Sequence, residues 1–284
     1  MTEAQSSNLK PADRLYLVDL GRRLDDAQAE CQRATTAVLN DVDACDEVCA
    51  RVLHARGYFR VPTMMCAWLD EDTTTRLAPA LAMHIFGMKL MDDTIDGDTP
   101  LSRTELVCAS VALCQRATTL LARSAPSAVE LLRDLEESLL TVCRQMVAGG
   151  RKPPDSVAEW AEAALGFGGD FLAMYGRLAC VAGGRPAAAA SAAAAGRALG
   201  ILIAMSDDWA DYEKHHERVG NLRYIVGDDD ERRAELLALA RKCAREGIDA
   251  ASAQDPDIDL APVIRWHLDD LASTVDGLGP VYLR

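Results

Sequence analysis

Residues 88–96 read Met88-Lys89-Leu90-Met91-Asp92-Asp93-Thr94-Ile95-Asp96, and residues 205–211 read Met205-Ser206-Asp207-Asp208-Trp209-Ala210-Asp211. Each is an Asp-Asp-x-x-Asp cluster closing an apolar run, one starting near Leu77 and the other at Ala198. Apolar runs of this kind, without strand-turn-strand rhythm, read as helices. On a helix the first and last aspartates of each cluster share a face, and the middle one lies about 100° around. Carboxylates at the end of an apolar helix are costly unless something neutralises them. Two such rows facing each other would gather Asp92, Asp93, Asp96, Asp207, Asp208 and Asp211 around one cleft. Hard divalent cations answer that problem. Magnesium keeps several waters and bridges a few carboxylates to substrate phosphates. The arrangement suits departure of a diphosphate, whose growing charge must be stabilised as its bond to carbon breaks, and an allylic carbon can release it because its cation is delocalised. One cluster alone also reads as a helix cap or a solvated face. The matched pair, each fused to an apolar helix, carries the functional reading. Asp25-Asp26 and Asp228 to Asp230 lack that context and read as surface.

Outward from the clusters the sequence stays helical. The 284 residues are 49% hydrophobic but only 5% aromatic. Alanine and leucine are abundant and strand formers sparse, which predicts an all-α fold. Leu17, Leu20 and Leu24 form one stripe; Leu106, Val107, Val111, Cys114, Ala117 and Leu121 form another; Leu131, Leu135, Leu139 and Val142 a third. Breaks are expected at Gly57 with Pro62, Gly97 to Pro100, Pro126, Gly149-Gly150 with Pro153-Pro154, Gly183-Gly184 with Pro186, Gly220 and Gly227. The Ala187 to Ala195 tract reads as a close-packed helix. Nothing marks a domain boundary. The expectation is one bundle of about ten helices spanning residues 1–284, with a tail at 1–8 and a loop from Gly247 to Pro256.

A net charge of −14 and a pI near 4.8 argue against nucleic acid and anionic membrane as partners. No run of eighteen apolar residues occurs, so no membrane span is expected. The N-terminus lacks the pattern of a signal peptide. Nine cysteines, without metal-ligand spacing, read as reduced thiols of a cytoplasmic protein.

At the two clusters the sequence resembles the trans-prenyltransferase and class I terpene synthase superfamily, from about Arg51 to Asn221. The resemblance implies a helical bundle around a deep apolar pocket, Mg2+ at both aspartate motifs, an allylic diphosphate substrate and a homodimer. Chain-elongating members carry Gly-Lys-x-x-Arg-Pro for isopentenyl diphosphate; here Gly57-Tyr58-Phe59-Arg60-Val61-Pro62 lacks the lysine. Leu101-Ser102-Arg103 replaces an Arg-Arg-Gly, Gly166-Phe167-Gly168-Gly169-Asp170-Phe171 replaces a Lys-Thr helix, and Asn221 replaces the lysine after the second motif. The parts for a second diphosphate are mostly gone. Within the superfamily the chain looks like the prenyltransferases of moenomycin-type phosphoglycolipid antibiotic biosynthesis, on Tyr58 to Pro62, Met88 to Asp93, Thr99 to Leu106, Phe171 to Gly176 and Met205 to Leu222. That implies joining a geranyl group to a farnesyl phosphoglycerate. Two alternatives stay open: a class I terpene cyclase acting on one allylic diphosphate, and an inactive isoprenoid-binding subunit.

Other candidates are weighed individually. Lys89 reads equally as a phosphate contact and as an i,i+4 partner of Asp93. Arg60 is a candidate for an acceptor phosphate. Lys214 and Arg218 are candidates to close over the diphosphate, or to balance Glu213 and Glu217. Asn221 is a further substrate-binding candidate. Phe171, Tyr175 and Trp209 are candidates to face a carbocation, or simply core. Gly87, Gly168 and Gly169 mark either room for an isoprenoid tail or close helix contacts.

Overall fold

The structure, a computed structural model, describes residues 10–54, 56–96, 101–124, 128–215 and 219–277. In chain order the helices are α1 (Pro11–Asp41), α2 (Asp46–His54), α3 (Arg56–Met65), α4 (Glu71–Asp96), α5 (Arg103–Ser124), α6 (Ala128–Arg151) and α7 (Val157–Ala164). A π-helical turn (Leu165–Asp170) runs straight into α8 (Phe171–Ala182), and a 3-10 turn (Pro186–Ala188) leads into α9 (Ala189–His215). The set closes with α10 (Leu222–Val226), α11 (Asp230–Ser252) and α12 (Ala261–Val275). Among the described residues there is no strand, as composition requires.

The bundle is organised around the two helices that carry the aspartates. α4 packs against α5, α1 and α3, and α9 packs against α8, α11 and α12. Residues Leu77 to Phe86 of α4 are buried almost without interruption, so this helix is apolar around most of its girth, as a central helix must be. α8 and α9 approach unusually closely. A Cβ on Gly200 would sit 2.0 Å from the Gly168 carbonyl oxygen, and one on Gly176 would sit 2.6 Å from the Ala192 carbonyl oxygen. The alanine tract supplies the other side of this contact through Ala188, Ala192 and Ala195, all buried. At Gly87 an added Cβ would meet Cys114 Sγ at 2.8 Å, and at Gly168 it would meet the Gly200 carbonyl oxygen at 2.8 Å. These glycines serve close helix contacts.

Two expectations are corrected. Pro62 does not break the chain but sits inside α3. It leaves the Tyr58 carbonyl without the N–H that another residue at 62 would donate. The segment after Gly247 is not a loop at first, since α11 continues to Ser252. Gly247 is there to let α11 approach α9, where an added Cβ would fall 2.4 Å from the Ala198 Cβ. α5 and the stretch Pro186–Tyr212 are long and apolar enough to cross a membrane by length and composition. Buried core helices pass the same test, and α9 is one of them.

Candidate active site

The first aspartate row ends α4. Asp93 is 3% exposed and carries two cations: Lys89 Nζ lies 2.7 Å from its Oδ1, and Arg51 Nη1 lies 2.7 Å from its Oδ2. The Arg51 contact is ionic and not a well-aimed hydrogen bond. The same ammonium donates to Asp92 Oδ2 at 3.0 Å. Asp92, one residue before, is 39% exposed at its side chain. The Asp96 side chain lies outside the described atoms.

The second row lies near the end of α9. Asp208 is held from three sides. Trp160 of α7 donates its indole N–H to Oδ2 at 2.9 Å, the Leu222 backbone N–H donates to the same oxygen at 2.5 Å, and the Asn221 amide donates to the Asp208 carbonyl at 2.6 Å and to Oδ1 at 3.3 Å. Asn221 is buried, and its side-chain oxygen accepts from the Tyr224 N–H as the cap of α10. Its hydrogen-bonding groups are thus engaged in joining α10 to α9. Asp207 is exposed and Asp211 half-buried.

Tyr58 of α3 is partly buried against the core. Burial pushes its phenol up to about 12; Lys89 pulls the other way, and Asp207, Asp92 and Asp93 push further in the same direction as burial. Burial pulls the Lys89 ammonium down, but Tyr58, Asp92 and Asp93 outweigh it and hold the group above the ordinary lysine value. These are the mutual signs expected of a compact polar patch roofing an apolar interior.

Below the rows, two turns back along α4, His84 and Tyr175 form a buried pair with Nδ1 and the phenol oxygen 2.6 Å apart. Desolvation drives His84 down to about 4 and Tyr175 well up, so both are neutral at pH 7. The Phe171 ring meets Tyr175 edge-on at 5.0 Å. Trp209 is buried, and the Arg223 guanidinium stacks on it 4.7 Å from the ring centre. One face of that indole thus already holds a cation.

Arg60 is placed away from this patch. It lies two residues from Tyr58, about 200° around the helix. Its guanidinium reaches α1, with Nε donating to Gln28 at 2.9 Å and Nη2 to Asp25 at 2.8 Å. Asp25, read from sequence as free surface, is its ion-pair partner. The backbone of Lys214 is described but its side chain is not, and Arg218 lies outside the described residues. Sequence reading missed Arg51, Tyr58 and Trp160. Their positions depend on chain-distant packing of α2, α3 and α7, which leaves no local pattern.

Among the described residues no three carboxylate, imidazole or thiol groups converge in the manner of a protein-built metal cage. The donor set still fits Mg2+, because magnesium is typically bound through one or two carboxylates with substrate phosphates and water completing the shell. Among the described residues the two rows offer carboxylate oxygens, which meets that requirement.

No protein-family model and no curated protein sequence matches the chain. Solved structures do. A decaprenyl diphosphate synthase from Rhodobacter capsulatus superposes with a TM-score of 0.63 at 18% identity, covering 90% of this chain and 98% of that one. A polyprenyl synthase from Caulobacter crescentus, complexed with calcium and isoprenyl diphosphate, gives 0.63 at 17% identity over 95% and 99%. A geranylgeranyl pyrophosphate synthase from Corynebacterium glutamicum, also with calcium and isoprenyl diphosphate, gives 0.62 at 15% identity over 92% and 98%. The chain therefore has the all-α fold of these isoprenoid synthases over nearly its whole length.

Proposed function

We propose that this chain is a Mg2+-dependent prenyltransferase that ionises an allylic diphosphate and joins the allyl group to a second isoprenoid. By resemblance the donor is geranyl diphosphate and the acceptor a farnesyl phosphoglycerate of phosphoglycolipid antibiotic assembly. The observation that carries the reading is that the two aspartate rows lie at or near the ends of the central helices α4 and α9, with Asp93 and Asp208 tied to neighbouring helices and Asp92 and Asp207 left more exposed. The shared fold supports it. So does the calcium held with isoprenyl diphosphate in two of the superposed structures, since calcium, like magnesium, takes oxygen ligands.

Asp92, Asp96, Asp207 and Asp211 would hold Mg2+, which supplies charge neutralisation for a departing diphosphate. Asp93 and Asp208 act behind them: the first anchors Lys89 and Arg51, the second ties α9 to α7 and α10. The carbon–oxygen bond of the donor breaks and its electron pair stays on the diphosphate. The acceptor alkene forms the new carbon–carbon bond, and a proton leaves from the neighbouring carbon to the released diphosphate. The neutral His84–Tyr175 pair and the Phe171 ring give the interior electron-rich faces without a charge that would repel the cation. The protein works as a homodimer through the uncovered apolar face of α5 and α6.

The deciding experiment incubates the protein with Mg2+ and geranyl diphosphate, with and without farnesyl phosphoglycerate, and reads products by mass. The expected product combines both chains and forms only when both are present. Cyclic hydrocarbons from geranyl diphosphate alone would move the assignment to a class I terpene cyclase. Absence of diphosphate release under all conditions would end the enzymatic reading.

A further inference from the structure

Four charged side chains at the first aspartate row form a chain of alternating sign. Arg51 Nη1 lies 2.7 Å from Asp93 Oδ2, Lys89 Nζ lies 2.7 Å from Asp93 Oδ1, and the same Nζ lies 3.0 Å from Asp92 Oδ2. Two cations and two carboxylates balance one another. The links are not equivalent. Asp93 is 3% exposed and has a cation at each oxygen, so it keeps Arg51 of α2 when Lys89 moves. Asp92 is the outer end, 39% exposed, and its contact with Lys89 spans one turn of the same helix. Exposed pairs at this spacing are weak. The Lys89–Asp92 contact is therefore the link that opens most easily.

That link sits on a carboxylate to which the proposed function gives a metal ion. A divalent cation approaching Asp92 meets the Lys89 ammonium on the same side chain, and like charges a few ångströms apart repel. The metal alone thus gains a carboxylate but faces a resident cation. A metal arriving with a diphosphate brings an anion to which the ammonium turns as it leaves Asp92, while Asp93 still holds it from behind. The same lysine opposes the first event and favours the second.

We propose that Lys89 is a resident counter-ion of Asp92 that yields to Mg2+ far more readily when the metal arrives with a diphosphate, and so couples the binding of the two. This rests on the prenyltransferase reading, which brings both ligands to this row. The coupling is reciprocal: the factor by which diphosphate tightens the metal is the factor by which the metal tightens diphosphate.

Calorimetry on wild type and Lys89→Met tests this in two arms. Methionine keeps an unbranched side chain and removes the charge, and Asp93 retains Arg51. In the first arm Mg2+ is added without diphosphate, and the variant is expected to bind about three- to tenfold tighter than wild type. In the second arm inorganic diphosphate is added at saturating Mg2+, and the variant is expected to bind about three- to tenfold weaker. The gain in the first arm is expected to vanish when Lys89→Met is combined with Asp92→Asn and compared with Asp92→Asn alone. Lys242→Met, which removes an exposed lysine of α11, is expected to change neither arm. Affinity that falls in both arms would overturn the inference by making Lys89 structural. Unchanged Mg2+ affinity in the first arm, or an equal gain in Lys242→Met, would overturn it as well. All three results leave the prenyltransferase reading in place. A wild type that binds no diphosphate in Mg2+ would overturn that reading and this one together. Lys89→Gln, uncharged but hydrogen-bonding, is expected to show the same opposite signs and carries the test if the methionine variant does not fold.

Discussion

Asp92 and Asp93 are adjacent in sequence and opposite in surroundings. Asp93 is 3% exposed between two cations, whereas Asp92 is 39% exposed with one. Replacing a buried partner leaves charges stranded, which is far costlier than losing an exposed pair. Asp93→Asn is therefore expected to cost about 2–3 kcal/mol in denaturant unfolding. Asp92→Asn is expected to cost under about 1 kcal/mol but to lower diphosphate release by at least about 100-fold. Equal destabilisation by the two would contradict this division. A second residue, His84, makes a pH dependence. Its folded value lies at about 4, below the ordinary 6.5, because burial disfavours the charged ring. The unfolded chain then binds the extra proton first, so stability is full above pH 6.5 and falls as pH drops toward 4. The loss amounts to about 3 kcal/mol. His267 is shifted in the same direction, so His84→Gln is expected to remove only part of the slope in stability measured between those pH values. The aspartate rows were legible because their spacing is local. Their inequality was not, because Arg51, Trp160 and Leu222 reach Asp93 and Asp208 from other helices.

At the scale of elements, the second row is positioned by backbone contact. The π turn and α8 run against α9 with glycines on both sides, and Gly168 lies beside Ala204, one turn before Asp207. A π turn inserts an extra residue, and three of its six positions here are glycine, which tolerates the crowding. Gly200→Ala must push a methyl group into the Gly168 carbonyl, and backbone cannot rotate away as a side chain can. A loss of about 3 kcal/mol or more is expected, together with reduced activity as α9 shifts. Gly57→Ala is the contrasting case. Gly57 is exposed within α3 and nothing lies within 4 Å of an added Cβ. A gain of about 0.5–1 kcal/mol is expected there. Urea melts of both variants check the pair; a stable Gly200→Ala protein would show that the helices do not need this approach. Helix identity was readable from periodicity. The fates of Pro62 and Gly247 were not, because a helix tolerates either residue when neighbouring helices hold it in place.

At the scale of the whole molecule, a protein of net charge −14 repels its own copies, so any self-association must use a face where charge is thin and apolar surface exposed. α5 and α6 supply one. Val107, Val111 and Thr118 share a face of α5, while Leu140, Cys143 and Val147 share a face of α6. Val107, Val111, Leu140 and Val147 are all exposed. Between the helices lies a groove of about 320 Å³ lined by Thr118, Leu132, Leu135, Glu136, Leu139, Leu140 and Cys143. A two-fold axis there would set α5 and α6 of one copy on the same helices of its partner, as an isologous interface requires. The carboxylate rows end α4 and α9, and α4 packs directly on α5, so dimerisation would brace the helix that carries Asp92. Sedimentation equilibrium is expected to give a dimer for the wild type. Val111→Glu with Leu140→Glu places carboxylates opposite their own copies across the axis, and a monomer is expected with activity reduced but not abolished. A wild type that sediments as a monomer, or a double variant that remains dimeric, would move the interface elsewhere or remove it.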